Sequence, residues 1–337
     1  DNKRETSMPC LKWAVWLLAG AMILGTAGCS PTAGTPQAPA GSASASQSSP
    51  VPSDPIQHLE DLGLPRTEAE AVWDQLPEDR RAVLRTASEP PEWLSYLAFS
   101  FAWPERLDRY ESYHQANPGL TAEEAVVRVN IGLDTPPYED PEPVEDPESL
   151  TALVNQYHVL SEDYEPELVP LNYFYSILED HLRPEAHDAF LDMAQAAAQD
   201  GLRLYNVSGY RSYQHQTWSY QRYVREDGVE MADTYSARPG HSEHQTGLAL
   251  DINTASLSDH FEDSEEYAWL VENAGRFGFI LRFPQGKEEL TGYQFEPWHY
   301  RYVGVETAQL CWEMDWTLEE YTARLPAPGR MDGDTFG

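Results

Sequence analysis

Apolar residues recur at helical spacing in two stretches, TEAEAVWDQLPEDRRAVLRTA (67–87) and LTAEEAVVRVNIGL (120–133). The second opens on Thr121 with Glu124 three positions later, a capping-box pair. Between them Trp93, Tyr96, Phe99, Phe101 and Trp103 form an aromatic-rich connector whose plain role is core packing. Helices are therefore predicted over 56–135. An acidic, proline-rich segment follows, DTPPYEDPEPVEDPES, which reads as an extended linker or strap with a boundary near residue 146.

Beyond residue 150 the pattern alternates between helical and strand spacing. PEAHDAFLDMAQAAAQ (184–199) predicts a helix, with Pro184 in its first turn, an alanine-rich body and Gly201 to stop it. Residues 202–207 alternate like a strand, 212–227 read as helix and 248–252 as a short buried strand. Residues 264–276 predict a helix ended by Gly278, 279–283 and 293–298 two further strands, and 318–325 a closing helix. There is no regular β-α-β-α rhythm and no internal repeat. The fold class is accordingly α+β, a small mainly antiparallel sheet flanked by helices, preceded by a helical N-terminal region.

The first fifty-five residues follow different rules. Residues 13–28 (WAVWLLAGAMILGTAG) are uncharged and mostly apolar, with Lys12 just before them. That is the layout of an export signal with Met8 as a start, and sixteen residues fall short of the roughly 20 a membrane span needs. The run ends Thr26-Ala27-Gly28-Cys29, which resembles a bacterial lipobox with Thr26 where leucine is usual; Cys29 is then the residue that carries lipid. Residues 30–55 are Ser, Ala, Pro, Gly and Thr with almost nothing to bury, so they predict a flexible tether. The expected organisation is 1–29 signal, 30–55 tether, 56–146 helical region with acidic linker, 147–326 catalytic domain and 327–337 tail.

With 337 residues, 41% of them hydrophobic, the chain can build a sizeable core. Its formal net charge of −34 disfavours nucleic acid as a partner and repels anionic lipid, so membrane attachment falls to a hydrophobic or covalent anchor. Of three cysteines, Cys10 and Cys29 flank the export signal and Cys311, in a late helix, reads as core, so no disulfide framework is expected.

The candidate chemistry sits in two short elements. The first is Ser242-Glu243-His244-Gln245-Thr246-Gly247-Leu248-Ala249-Leu250-Asp251, which sets a histidine in a polar loop and a carboxylate at the end of an apolar strand. A buried carboxylate must be paired, hydrogen-bonded or metal-bound. Gly247 and Ala249 keep side chains small where the backbone passes close to something. The second is Glu296-Pro297-Trp298-His299. Two histidines and one aspartate give three ligands and leave a fourth position for water, the open geometry of catalytic zinc, with Glu296 as the spare carboxylate that takes a proton. Each element alone is weak, because a lone histidine is more often packed than ligating. The HExxH helix of common zinc proteases is absent.

SxHxxGxAxD followed by ExxH resembles the VanY-type D-alanyl-D-alanine carboxypeptidases and their VanX dipeptidase relatives. Val207-Ser208-Gly209-Tyr210-Arg211-Ser212, Pro239-Gly240-His241-Ser242-Glu243-His244 and GFILRFPQGKEELTGYQFEPWHYRYVG extend the likeness over roughly 150–325. The resemblance implies a hedgehog/D,D-peptidase-like fold, with His244, Asp251 and His299 as zinc ligands and Glu296 as general base. It also implies Arg211 as the cation for the developing oxyanion, and Gln216, Ser242 and Tyr293 as contacts to the substrate's terminal residue. The implied partner is the peptidoglycan stem peptide, cut at D-Ala-D-Ala or at an L-residue–D-Ala bond. The expected setting is a monomer held by lipid on the outer face of the bacterial cytoplasmic membrane. A non-catalytic wall-binding module is the alternative. His241 reads equally as a support for the ligands or a turn residue, Trp298 as packing behind the site, and His215 and His260 as surface residues. The helical region is outside the resemblance and reads as packing on the catalytic domain.

Overall fold

The structure, a computed structural model, describes residues 54–327. The export signal, Cys29, residues 30–53 of the tether and the tail beyond 327 lie outside the described residues, while Asp54 and Pro55, read as the tether's end, instead open the first helix.

Five helices make up the N-terminal part: α1 (Pro55–Asp61), α2 (Arg66–Val72), α3 (Glu78–Leu84), α4 (Leu107–Ala116) and α5 (Ala122–Asn130). Asp54 caps α1, its Oδ1 accepting from the Ile56 N–H at 3.0 Å. The capping box of Thr121 and Glu124 opens α5 as its spacing predicts. The stretch 67–87 is two helices rather than one, because Pro77 cannot continue the first and instead starts α3. Trp93, Tyr96, Leu97 and Tyr110 are buried in the core these helices share. The aromatic connector is therefore packing, as its sequence suggests.

The 134–146 segment lies along the chain that follows it, with β1 (Glu142–Pro143) pairing in parallel with β2 (His158–Val159). Next come the hairpin β3 (Val169–Leu171) and β4 (Asp180–Leu182), α6 (Pro184–Gln199), β5 (Tyr205–Ser208), α7 (Tyr213–Asp227) and α8 (Val229–Ala232). The remainder is β6 (Ala249–Asn253), α9 (Glu265–Asn273), β7 (Phe279–Leu281), α10 (Glu288–Thr291), β8 (His299–Tyr302), α11 (Val305–Met314) and α12 (Leu318–Ala323).

Strands β5, β6, β8 and β7 form one antiparallel sheet in that order, so β6 and β8 are its central strands. Alternation then decides the layers. Leu250, Ile252 and Tyr300 are fully buried and pack with Phe190, Met193, Ala194 and Ala197, which α6 presents on one face. Burying each large side chain contributes roughly 1.5–3 kcal/mol. Asp251, His299 and Arg301 point to the other face, towards the loops that follow β5 and precede β6.

Three sequence readings shift. The β5 strand starts at Tyr205, after a buried Leu204, and not at 202. Asp251 stands in the middle of β6 and not at its end. Residues 293–298 are not a strand: Pro297 has no N–H to offer a ladder, and the chain turns there, with the His299 N–H bonding the Glu296 carbonyl at 3.1 Å. The strand begins one residue later, at His299.

Beneath β8 lies a charged cluster shut off from water. Arg282 donates to Glu243 at 2.7 Å and to both oxygens of Glu319 at 2.8 and 2.6 Å, while Arg301 donates to Glu243 at 2.9 Å. All four side chains are at most 2% exposed. Two cations face two anions, so the cluster is neutral, and it ties β7, β8, α12 and the loop before β6 together. Arg301 also donates to the carbonyls of Leu150 and Ala152, both at 3.0 Å, and Asn155 to Glu319 at 3.2 Å. The helical region reaches the same end of the molecule: Asn130 donates to the Ala323 carbonyl at 3.1 Å, and Arg324 pairs with Glu123 at 3.0 Å. It therefore packs on α12.

A buried cluster of this kind is destabilised far more by losing one member than an exposed pair is. Replacing Glu319 by Ala leaves Arg282 short of one of its two counter-charges, and a loss of about 3–5 kcal/mol is expected. Replacing the exposed Glu70, which pairs with Arg66, is expected to cost less than about 1 kcal/mol. Denaturant titration of both variants measures the contrast, and equal midpoints would contradict the reading of the cluster.

Candidate active site

Antiparallel register sets Asp251 directly opposite His299. His244 comes from the 3-10 turn Glu243–Thr246 just ahead of β6. The turn closes on Gly247 at φ +69°, where a Cβ would come within 3.0 Å of Leu168 and 3.2 Å of the Arg183 backbone nitrogen. The small residue the sequence singles out is thus required by both conformation and space.

The three side chains converge. One ligand atom from each of His244, Asp251 and His299 lies within 4.8 Å of the others. Asp251 Oδ1 is 3.6 Å from His244 Nε2 and 3.3 Å from His299 Nδ1. The ring nitrogens facing away are also held. His244 Nδ1 bonds the Gly209 carbonyl at 2.7 Å, and since a carbonyl only accepts, Nδ1 carries the hydrogen and Nε2 presents its lone pair to the centre. Gly209 is itself fixed by a hydrogen bond from its N–H to Asp180. His299 Nε2 faces Glu243 Oε2 at 3.6 Å. The buried cluster therefore stands directly behind one imidazole of this group, where outer carboxylates stand behind metal-bound histidines.

The donor set fits a divalent metal. Asp251 Oδ1 is buried with no hydrogen-bond partner among the described residues. A buried carboxylate oxygen without a partner needs an explanation, and a cation shared with two imidazole nitrogens supplies one. Two imidazoles and one carboxylate suit zinc or a related first-row ion.

The electrostatics follow from burial and neighbours. Burial, with Arg211 nearby, lowers His244 to about 3, so it stays neutral. Burial alone would also lower His299, but the carboxylates of Asp251 and Glu243 facing its two ring nitrogens outweigh that and raise it to about 9. Burial would raise Asp251, yet the two histidines hold it at about 2. At Glu296 the neighbouring cations offset burial only in part. Burial pushes it up to about 7, with Asp251 adding to the rise and His299 opposing it. Its Oε2 is 3.6 Å from His299 Nδ1, so a proton-accepting carboxylate borders the centre.

These groups line a cavity of about 330 Å³, within the range of small-ligand sites. Arg211 reaches it from the loop after β5, where a register shift between Asn206 and Ser208 bends the strand. Its guanidinium donates to Gln216 Oε1 at 2.8 Å and to Ser208 Oγ at 3.0 Å, which leaves three of its five N–H groups for other partners. Gln216, Ser242 and Tyr293 also line the cavity. Gln216 uses its amide within the protein, holding Arg211 with Oε1 and donating to the Ala237 carbonyl at 2.6 Å. Trp298 both borders the cavity and packs on the sheet core. His241 is buried on the wall, bonded to the Asn155 carbonyl at 2.7 Å. His215 and His260 are exposed, and Cys311 is buried in a small core beside Ile280 and Leu318.

Sequence reading missed Glu243, Arg282, Arg301 and Glu319. A signal was there: Arg282 and Arg301 sit among apolar and aromatic strand residues, and a cation in such a place requires a buried anion.

Residues 179–305 match the family described as VanY: D-alanyl-D-alanine carboxypeptidase. YodJ, a candidate carboxypeptidase of Bacillus subtilis, is 41% identical over 193 residues, covering 55% of this chain and 71% of that protein. The bifunctional D-Ala-D-Ala dipeptidase and carboxypeptidase VanXYC of Enterococcus gallinarum is 36% identical over 176 residues, covering 50% of this chain and 91% of that one. The solved LdcB LD-carboxypeptidase is 41% identical, with a TM-score of 0.52 over 55% of this chain and 91% of its own. The matched segment contains His244, Asp251, His299, Arg211 and Glu296, and most of each of these relatives aligns with this chain: the chain is a carboxypeptidase that belongs to the VanY-type D-alanyl-D-alanine carboxypeptidase family.

Proposed function

We propose that this protein is a zinc-dependent carboxypeptidase that removes the C-terminal D-alanine from peptidoglycan stem peptides, with D-Ala-D-Ala ends preferred. The observation that carries it is the partnerless Asp251 Oδ1 between two imidazole nitrogens, with Glu296 at their edge. Zinc, when bound, supplies Lewis acidity and a water that ionises near neutral pH. His244, Asp251 and His299 would hold it. Glu296 accepts a proton from water as the peptide carbonyl is attacked and returns it to the leaving amine. Arg211, oriented by Gln216 and Ser208, offers its remaining N–H groups to the charge that develops on the carbonyl oxygen. No protein nucleophile is needed. Specificity for the L,D bond of tetrapeptide stems is the second reading, favoured by the likeness to LdcB.

Export and attachment through Cys29 belong to the same proposal: the apolar run 13–28 and the Thr-Ala-Gly-Cys ending support a lipid anchor outside the cytoplasmic membrane. A single folded unit acting as a monomer on tethered stems completes the reading.

Three experiments test it. Glu296→Ala is expected to lose at least about 10²-fold in kcat while binding one zinc per chain; full activity in that variant would remove Glu296 from its role. Mass spectrometry of pentapeptide and tetrapeptide stems incubated with the protein, with and without chelator, is expected to show loss of one D-alanine, mainly from the pentapeptide and only with metal present. Preferential trimming of the tetrapeptide would turn the assignment to L,D. In a bacterial host, Cys29→Ala is expected to abolish labelling by radioactive palmitate and release the protein from the membrane fraction, whereas a wild-type chain without label would end the anchor proposal.

A further inference from the structure

The segment 134–146 lies outside the matched region 179–305, yet it packs directly behind residues that line the cleft. Its backbone is zipped along residues 156–159: the Tyr138 N–H bonds the Gln156 carbonyl at 3.0 Å, Glu142 that of Tyr157 at 2.8 Å and Val144 that of Val159 at 3.0 Å. Tyr138 stands at φ +65°, a backbone conformation that aromatic residues seldom adopt. It is held there by contacts of its side chain as well as its N–H.

Those contacts lead to the site. The Tyr138 hydroxyl is 3.3 Å from that of Tyr293, and it is the only hydrogen-bond partner the Tyr293 hydroxyl has among the described residues. The Tyr138 ring meets His241 edge-on, with centroids 5.0 Å apart. The Arg238 guanidinium lies 4.1 Å over the same ring and is fixed from behind by Asp233, at 3.1 and 2.8 Å. Tyr293, His241 and the Ser236–Ala237 pair all line the cavity, whereas Tyr138 does not. One side chain from the strap thus braces two walls of the cleft that are far apart in sequence.

Resting on the carboxypeptidase reading above, we propose that Tyr138 is a positioning residue that fixes Tyr293 and the 236–242 loop in the conformation that receives the stem peptide, so that the acidic strap sets substrate affinity. Burial raises the Tyr138 hydroxyl to about 12, so it remains a neutral hydrogen-bonding group at any working pH. The ligand triad and Glu296 make no contact with Tyr138, so its loss weakens binding and leaves the chemical step intact.

The test uses the full chain loaded with zinc. Tyr138→Ala is expected to raise KM for the pentapeptide stem about tenfold with kcat within about threefold of wild type, at unchanged zinc content. Tyr138→Phe keeps the ring against His241 and Arg238 but loses the hydroxyl, and an intermediate KM is expected. An unchanged KM in Tyr138→Ala, or a fall in kcat alone that tracks loss of folded protein, overturns the proposal. A second readout needs no substrate. With 3-fluorotyrosine incorporated, the Tyr293 resonance is expected to be one sharp line in the wild type and to broaden or divide in Tyr138→Ala. A line identical in both overturns the positioning role. A wild-type chain inactive on every stem peptide would instead refute the carboxypeptidase proposal, with the fluorine signal still deciding the role of Tyr138.

Discussion

Asp251 and His299 meet because β6 and β8 pair antiparallel in a register that makes them direct partners. Side chains alternate across a sheet, so a slip of one residue would turn one of the two to the helix-covered face and bring an apolar neighbour into the cleft. The apolar partners of the same strands prevent that slip. Leu250, Ile252 and Tyr300 are fully buried against α6, and exposing them would cost several times the roughly 1.5–3 kcal/mol of each. The hydrophobic layer on one side of the sheet therefore determines the geometry of the polar chemistry on the other.

On the opposite face Phe283 packs on the His299 ring, and charge stands behind it. Glu243 stands between the ligand and two arginines, and Glu319 completes the neutral set. Such a cluster is poor evidence of extra stability, since desolvation cancels much of the attraction. Its effect is geometric. It couples the position of one imidazole to β7, α12 and the loop that carries the other, so the two histidines cannot move independently. The chain is strongly acidic overall, with a formal charge of −34, yet the buried charges next to the site are balanced. The excess negative charge lies elsewhere, where water screens it.

The part of the chain outside the family match is not a bystander to this arrangement. Its helices have their own core, and α5 touches α12 through Asn130, Glu123 and the buried Val127 and Ile131. The strap continues from α5 and sets Tyr138 against Tyr293 and His241 beside the cleft. The N-terminal region thus touches the charged cluster's outer helix, and the strap meets the family-matched part behind the cavity wall.

What was legible in the sequence was local. The Thr121–Glu124 box and the bounds of α6 from Pro184 to Gln199 depend on residues close to one another in the chain, and both are present as read. The ligand triad, Arg211 and Glu296 could be listed because their spacing resembles a known family, and the structure brings all five to one cavity. The 293–298 stretch was misread as strand because its alternating apolar residues line a turn beside the cleft, where Pro297 removes a ladder donor. Glu243 behind His299, Glu319 against Arg282 and Tyr138 beside Tyr293 could not be read at all. Each pair is separated by tens of residues or more, and only the folded core decides which distant charge or hydroxyl completes which neighbour. Propensity and periodicity act over one or two turns of chain, whereas desolvation acts on whatever the tertiary structure encloses.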